Sequence, residues 1–390
     1  MIEGCSLVIV PHMKTGAWCI VFFLVFFTLA EAKYAVQQLE QVPVERVIEN
    51  LEKRFKGNAG SLSESTTSLV LPLARLHVMA YVLPGKIVGV SKETGMENIW
   101  GYASPIEHFH PIEKAKGSAK DRDRALELYG MVLKKDPKNW IARLGVAWTH
   151  DQSGRRTEAL GEYRAILKDS LASFDQKERG LLGYDVGAEA ATYLVTMLDK
   201  KKDAIEVKQV QDEQAKLYTQ LSRTRVISPL VIPNRAGLSL GEMIDTNSKV
   251  RFDLDGSGAP AYWGWLNPNS AFLVYRDRSN RAIESGFQLF GSVTFNAFWA
   301  NGYDALSSLD DNGDGKISGD ELRGIGLWTD ANQDGISQAW EIVDAREFGI
   351  TEISTAHETA PGVTLRNLTG VRFKNGTLLP SYDWMPTGHH

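Results

Sequence analysis

A chain of 390 residues with 10 Trp and 15 Phe is too long and too aromatic for a disordered tail, and it has room for two or three domains with proper cores. Its formal net charge of −5, with no basic stripe, argues against nucleic acid as a partner. Both cysteines, Cys5 and Cys19, lie near the N-terminus, so the rest of the chain cannot be stapled by disulfides.

The first element in chain order is AWCIVFFLVFFTLA, Ala17 to Ala30, preceded by Lys14 and followed by Glu31 and Ala32. A basic flank, a 14-residue apolar stretch and a small-x-small site predict a secretory signal peptide over residues 1–32. The stretch is shorter than the roughly 20 residues that span a bilayer, so membrane contact is expected only if the signal stays uncleaved. Export then places a cysteine-free mature chain in a secreted or periplasmic location.

Residues 33–117 are expected to form a helical N-terminal region with an irregular connection. Leu39, Val42, Val47, Ile48, Leu51 and Phe55 recur at helical steps, and a Gly/Ser/Thr-rich break at 57–67 follows. A second helix carries Leu71, Leu73, Leu76, Met79 and Tyr81, and 84–117 is rich in Pro and Gly. Within that connection Glu107, His108, His110 and Glu113 are residue types that bind zinc, but without a placed further partner they read as a loop feature.

Residues 118–222 read as a helical domain. Ala125, Leu126, Leu128, Tyr129 and Val132 form one apolar face that ends at Asp136-Pro137, and Ala159, Tyr163, Ile166 and Leu167 form another. Over 123–167 the chain resembles a tetratricopeptide repeat through Ala125, Tyr129, Asp136-Pro137, Leu144-Gly145, Trp148, Gly154, Ala159 and Tyr163. Only about one and a half units are visible and a two-residue excess separates Gly145 from Gly154, so the resemblance implies a helical hairpin rather than a superhelix. More helix is expected over 176–222, with Asp199 to Asp203 as a solvated turn.

Residues 223–390 change texture toward strands. The prolines of VISPLVIP (226–233) predict an edge or linker strand, because proline cannot donate to a ladder. Strands are expected over 250–254, 271–275, 350–354, 362–366 and 370–378, with a hairpin turn at Lys374-Asn375-Gly376. A helix is expected over 293–309 through Phe295, Phe298, Trp299, Leu306 and Leu309. Trp263 and Trp265 read as core or edge packing, with sugar stacking as the lesser alternative.

The chemistry is concentrated in two twelve-residue stretches. In DDNGDGKISGDE, Asp310, Asn312 and Asp314 hold positions 1, 3 and 5, Gly315 the sharp turn, the Lys316 carbonyl position 7, Ser318 position 9 and Glu321 position 12. That spacing wraps Ca2+ in six or seven oxygens, while Ile317 points into a core. In DANQDGISQAWE, Asp330, Asn332, Asp334, the Ile336 carbonyl and Glu341 repeat the set, with Ser337 where an apolar residue is expected. Only LRGIGLWT separates the two, so one short helix is expected to serve both loops, which favours structural calcium over a sensor. Two relatives are weaker: Asp253, Asp255 and Ser257 lack a carboxylate at Gly264, and 277–288 has Arg281, Ala282 and Gln288 at the positions of ligand, glycine and closing acid.

The run FDLDGSG, FLVYRDR, GFQLFG, GYDALSSLDDNGDGKISGDEL and LWTDANQDGISQAWEI resembles the calcium-loop module that accompanies haemolysin-type repeat proteins, specifically over about 250–355. With the signal and the tetratricopeptide-like helices, the chain resembles an uncharacterised exported bacterial family of that architecture. The resemblance implies calcium ions in an exported protein and no enzymatic activity. The expected fold class is α+β: an N-terminal α-helical domain with a tetratricopeptide-like hairpin, then a C-terminal α+β domain with EF-hand-like calcium loops. The expected function is calcium-stabilised binding or scaffolding at the cell envelope, with a protein partner on the helical domain and no nucleic acid. The alternative is a secreted hydrolase or carbohydrate-active enzyme, although no H-E-x-x-H or phosphate-binding glycine loop is present.

Overall fold

Val44, Val47, Ile48 and Leu51 recur at three- and four-residue steps and are buried, which winds Val44–Gly57 into helix α1 with one face on the core. The computed structural model describes residues 42–57, 64–85, 117–175, 181–219, 227–256, 258, 260–276, 282–360 and 365–389. The expected signal peptide and the histidine-bearing segment 107–113 lie outside the described residues. After α1 come α2 (Glu64–Val82), α3 (Ala119–Lys135), α4 (Trp140–Gln152), α5 (Arg156–Asp175), α6 (Leu181–Met197) and α7 (Ala204–Tyr218). Ser118 caps α3 by accepting from the Lys120 N–H, and Asn139 caps α4 by accepting from the Ala142 N–H. Each helix packs on the next. Ala125, Tyr129, Leu144, Trp148, Ala159 and Tyr163 are all buried between them.

Beyond α7 the chain is mostly strand: β1 (Leu230–Pro233), the one-turn helix α8 (Leu240–Met243), β2 (Ile244–Phe252), β3 (Ala261–Leu266) and β4 (Ser270–Tyr275). The short helix α9 (Gly302–Ser307) precedes β5 (Lys316–Ser318), β6 (Ile325–Trp328), β7 (Ile342–Asp344) and β8 (Ile350–Ser354). The last strands are β9 (Glu358–Thr359), β10 (Leu365–Phe373), β11 (Leu378–Asp383) and β12 (Gly388–His389). Among the described residues they make a main sheet in the order β5-β8-β10-β11-β1-β4-β6-β7, with β9 on β10, and a small sheet β12-β3-β2. Every pairing between these strands is antiparallel. The architecture is therefore α+β, an N-terminal helical region followed by a largely antiparallel sheet region.

The central strands β1 and β4 of the main sheet are buried on both faces. Leu230, Ile232, Ala271, Leu273 and Tyr275 face a core shared with the helices, while Val231, Phe272 and Val274 face a second core with Phe252, Trp263, Trp265 and Trp328. The alternation is the period of two that a pleated strand imposes. Polar contacts also join helices to sheet: Arg75 on α2 donates to the Asn296 carbonyl and, at 2.7 Å, to its Oδ1.

Three sequence expectations are corrected. The segment holding β1 is not an edge strand but lies between β11 and β4. Pro229 precedes the strand and Pro233 ends it, so the prolines bracket the ladder and remove no donor from its middle. The helix expected over 293–309 is replaced by a 3-10 turn at Thr294–Asn296, an irregular stretch and the short α9. Phe295 and Asn296 take φ of 58° and 57°, left-handed values that stop a right-handed helix, while Phe295 and Trp299 still bury their rings. Finally, the eight residues between the two acidic loops hold strand β6, not a shared helix. Ile325, Leu327 and Trp328 are all buried and pair with β4 and β7, so tertiary burial on two faces overrides a helical link.

Candidate metal centres

The first loop, 310–321, leaves α9 and contains edge strand β5; the second, 330–341, joins β6 to edge strand β7. They therefore lie at opposite edges of the main sheet rather than face to face. Acids at positions 1 and 12 are buried in both: Asp310 is 5 % exposed, Glu321 7 %, Asp330 4 % and Glu341 3 %.

Hydrogen bonds repeat position by position. The carboxylate at position 1 accepts from the N–H groups of positions 5 and 6: Asp310 from Asp314 (3.2 Å) and Gly315 (2.9 Å), Asp330 from Asp334 (3.2 Å) and Gly335 (2.9 Å). The amide oxygen at position 3 accepts from the N–H of position 5, at 2.8 Å on Asn312 and 3.2 Å on Asn332. Asp314 accepts from the Lys316 N–H at 2.9 Å, as Asp334 does from Ile336 at 2.8 Å. The acid at position 12 closes the ring. Glu321 accepts from the Asp311 and Ser318 N–H groups (2.9 and 3.0 Å), and Glu341 from those of Ala331 and Gln338 (2.8 and 3.2 Å). Gly315 and Gly335 at position 6 have φ of 81° and 73°, which glycine adopts without the Cβ clash.

Among the described residues no ion pair engages Asp310, Asp314, Glu321, Asp330, Asp334 or Glu341. Nor are three His, Cys, Asp or Glu side chains gathered among the described residues into a ready-made metal cluster. The acids instead rest on backbone amides, and Asn312 and Asn332 each donate Nδ2 to the neighbouring Asp314 and Asp334 (3.3 and 2.8 Å). The donor set is oxygen throughout, with a flexible mixture of carboxylate, amide, hydroxyl and carbonyl, and that chemistry fits a hard cation such as Ca2+. Burial raises the Asp330 carboxyl above its usual value, the Gly335 N–H and the Trp265 indole oppose that, and Glu341 adds to it.

The two loops differ in their supports. Ile317 is fully buried and pairs with Ile353 on β8. At the equivalent position the Ser337 hydroxyl turns inward, accepts from the Ile283 N–H at 2.5 Å and donates to the Ile283 carbonyl at 3.3 Å. That leaves Ile336 and Trp340 exposed, at 61 % and 67 %. Two buried indoles brace the second loop: Trp265 donates to Asp330 Oδ2 at 2.7 Å and Trp328 to Glu341 Oε2 at 3.4 Å. The first loop is gripped from α1, where Arg46 donates to both carboxylate oxygens of Asp311 at 2.8 and 2.7 Å and Asn50 donates to Oδ1 at 2.8 Å. Burial alone would raise Asp311, but the Arg46 and Asn50 contacts hold it below the usual carboxylate value. Arg46, Asn50 and Trp265 are distant in sequence and carry no motif, so spacing could not have found them; Trp328, two residues before Asp330, was within reach.

Of the weaker relatives, Asp253 Oδ2 accepts from the Gly258 N–H at 3.1 Å, the same position-six bond, and Gly264 at its twelfth position lies inside β3. Residues 277–281 lie outside the described residues, while Gln288 accepts through Oε1 from the Glu284 N–H at 2.7 Å. Trp263 and Trp265 are buried and present no face to a sugar.

Residues 235–382 match the family described as SPM domain, a span that includes both loops. Over 112 residues the chain is 37 % identical to a protein named iron-regulated protein FrpA of Neisseria meningitidis serogroup C. That alignment covers 27 % of this chain and 10 % of the relative, so the chain spans about a tenth of the relative's length and is similar to one segment of it.

Proposed function

We propose that the protein binds two calcium ions, one in each EF-hand-like loop, and that the ions stabilise an exported, non-enzymatic binding or scaffolding protein of the cell envelope. The observation that carries this reading is the same ring of backbone hydrogen bonds in two loops whose sequences agree chiefly at the oxygen-bearing positions. Asp310, Asn312, Asp314, Ser318, Glu321 and the Lys316 carbonyl would hold one ion. Asp330, Asn332, Asp334, Glu341 and the Ile336 carbonyl would hold the other. Binding would have Asn312 and Asn332 trade their contacts with the neighbouring aspartates for the cation. Buried acids with no basic partner repel one another, and a divalent cation offsets that repulsion. The SPM-domain match and the resemblance to a calcium-loop module fall on the same stretch, and the tetratricopeptide-like helices supply the surface for a protein partner.

With a dissociation constant near 0.1 mM in about 1 mM calcium, each site contributes roughly 1.4 kcal/mol. The test is thermal unfolding of the full chain in calcium, in magnesium and in chelator. Calcium should raise Tm by several degrees, and Glu321→Ala should remove about half of the rise. Superimposable curves in calcium and chelator would sink the reading.

A further inference from the structure

We propose that the first loop is a latch through which calcium controls the docking of helix α1 on the sheet region; this rests on the reading of 310–321 as a calcium site. Arg46, Asn50 and Arg54 sit at successive four-residue steps on α1 and so share one face. All three reach the same stretch of chain. Arg46 makes a two-pronged ion pair with Asp311 (2.8 and 2.7 Å), Asn50 donates to the Ser308 carbonyl (3.0 Å) and to Asp311 Oδ1 (2.8 Å), and Arg54 donates to the Ser307 hydroxyl.

Asp311 is the link between helix and loop. It occupies position 2, between two residues that would bind the ion. Its own N–H donates to Glu321 Oε1, at 2.9 Å, and Asn312 donates to the same oxygen at 3.2 Å. The side chain and the backbone of one residue thus serve two masters: α1 on one side, the closing carboxylate on the other. The loop holds five carboxylates, Asp310, Asp311, Asp314, Asp320 and Glu321, against the single Lys316. Lys316 is itself paired with Glu352 at 3.2 Å, and Arg323 with Asp320 at 2.8 Å. Without the ion, mutual repulsion draws Glu321 away from positions 1 to 3 and shifts Asp311 out of line with Arg46 and Asn50. A bidentate pair depends steeply on alignment, so a small displacement costs much of it. With the ion the ring closes and Asp311 is presented in register.

Helix α2 is held separately, by Arg75 on Asn296, a contact that does not pass through the loop. The effect is therefore expected in α1 and in the face of α2 on which α1 packs. Coupling between two sites is reciprocal: docked α1 must favour calcium by the same factor as calcium favours docking.

The experiment is hydrogen–deuterium exchange of the full chain in calcium and in chelator, with a parallel calcium titration by calorimetry, on wild type, Arg46→Gln and Glu321→Gln. Calcium should slow exchange of the α1 amides about tenfold and leave α6 and α7 unchanged. Arg46→Gln should still bind calcium, about three- to tenfold more weakly, and its α1 should no longer respond. Calcium bound at the first loop, lost in Glu321→Gln, with α1 exchange the same in both conditions overturns the latch and leaves the binding reading standing. Absence of any heat that Glu321→Gln abolishes overturns both. Arg46 is partly exposed, at 21 %, and the wild-type comparison alone decides the case if the Arg46→Gln variant is unstable.

Discussion

Trp265 on β3 donates its indole N–H to Asp330 Oδ2 at 2.7 Å, tying the small sheet to position 1 of the second loop across 65 residues. Its ring is fully buried, 4.9 Å from Phe272 and 5.8 Å from Trp328 by centroids. Trp265→Phe keeps an aromatic ring in this cluster and removes the donor. The expected loss is about 1–3 kcal/mol, the cost of leaving a buried carboxylate short of a hydrogen bond. Calcium affinity should fall at the second loop and not at the first. Denaturant unfolding and a calcium titration of the variant check both.

The two position-six glycines should respond differently to the same substitution. A Cβ on Gly335 would lie 2.7 Å from the Arg251 carbonyl oxygen and 2.7 Å from Val250 Cγ1, whereas one on Gly315 meets nothing nearer than Thr355 Oγ1 at 4.0 Å. Gly315→Ala should therefore cost only the left-handed backbone penalty, about 1–2 kcal/mol. Gly335→Ala adds a clash with backbone and should cost at least about 2 kcal/mol more. Equal losses in the two variants, measured by urea unfolding, would contradict the packing of the second loop on β2.

A pH dependence follows from Asp383. Burial pushes its carboxyl up to about 7, against hydrogen bonds from the Gly302 N–H and Ser228, and Asp304 pushes it the same way. Between pH 4 and 7 the folded state holds a proton that the unfolded chain has released, so this group's contribution to stability rises as pH falls from above 7. Asp383→Asn keeps an oxygen for Gly302 and cannot ionise. Compared with wild type it should be more stable at pH 8, by about 1–3 kcal/mol, with the advantage shrinking toward pH 5. A difference that is constant with pH would be at odds with the buried carboxyl.

Much of the helical region was legible because its signals are local. Asp136-Pro137 ends α3, and the apolar steps of α1, α3 and α5 fall where the helices are. The left-handed turn at position 6 of each acidic loop was legible too, since glycine stands there and Gly315 and Gly335 take φ of 81° and 73°. What failed depends on partners far away. Pro229 and Pro233 suggested an edge because a sequence does not reveal that they only bracket β1. Phe295, Phe298 and Trp299 have helical spacing, yet in an irregular chain Phe295 packs on Tyr275 of β4, Phe298 lies under Arg75 of α2, and Trp299 donates to the Thr294 carbonyl. LRGIGLWT looked too short for anything but a linker helix, and became strand β6 because β4 and β7 stand on either side of it. Arg46 and Asn50, lying more than 250 residues before the loop they grip, left no sequence signal at all.

Direct calorimetric titration of the full chain with calcium tests the central claim. Wild type should bind two ions, Glu321→Gln and Glu341→Gln one each, and the double variant none, with all four proteins folded by circular dichroism. Calcium binding that survives intact in the double variant, or no binding heat in wild type up to about 10 mM calcium, an upper bound well beyond the weakest sites of this kind, would contradict it.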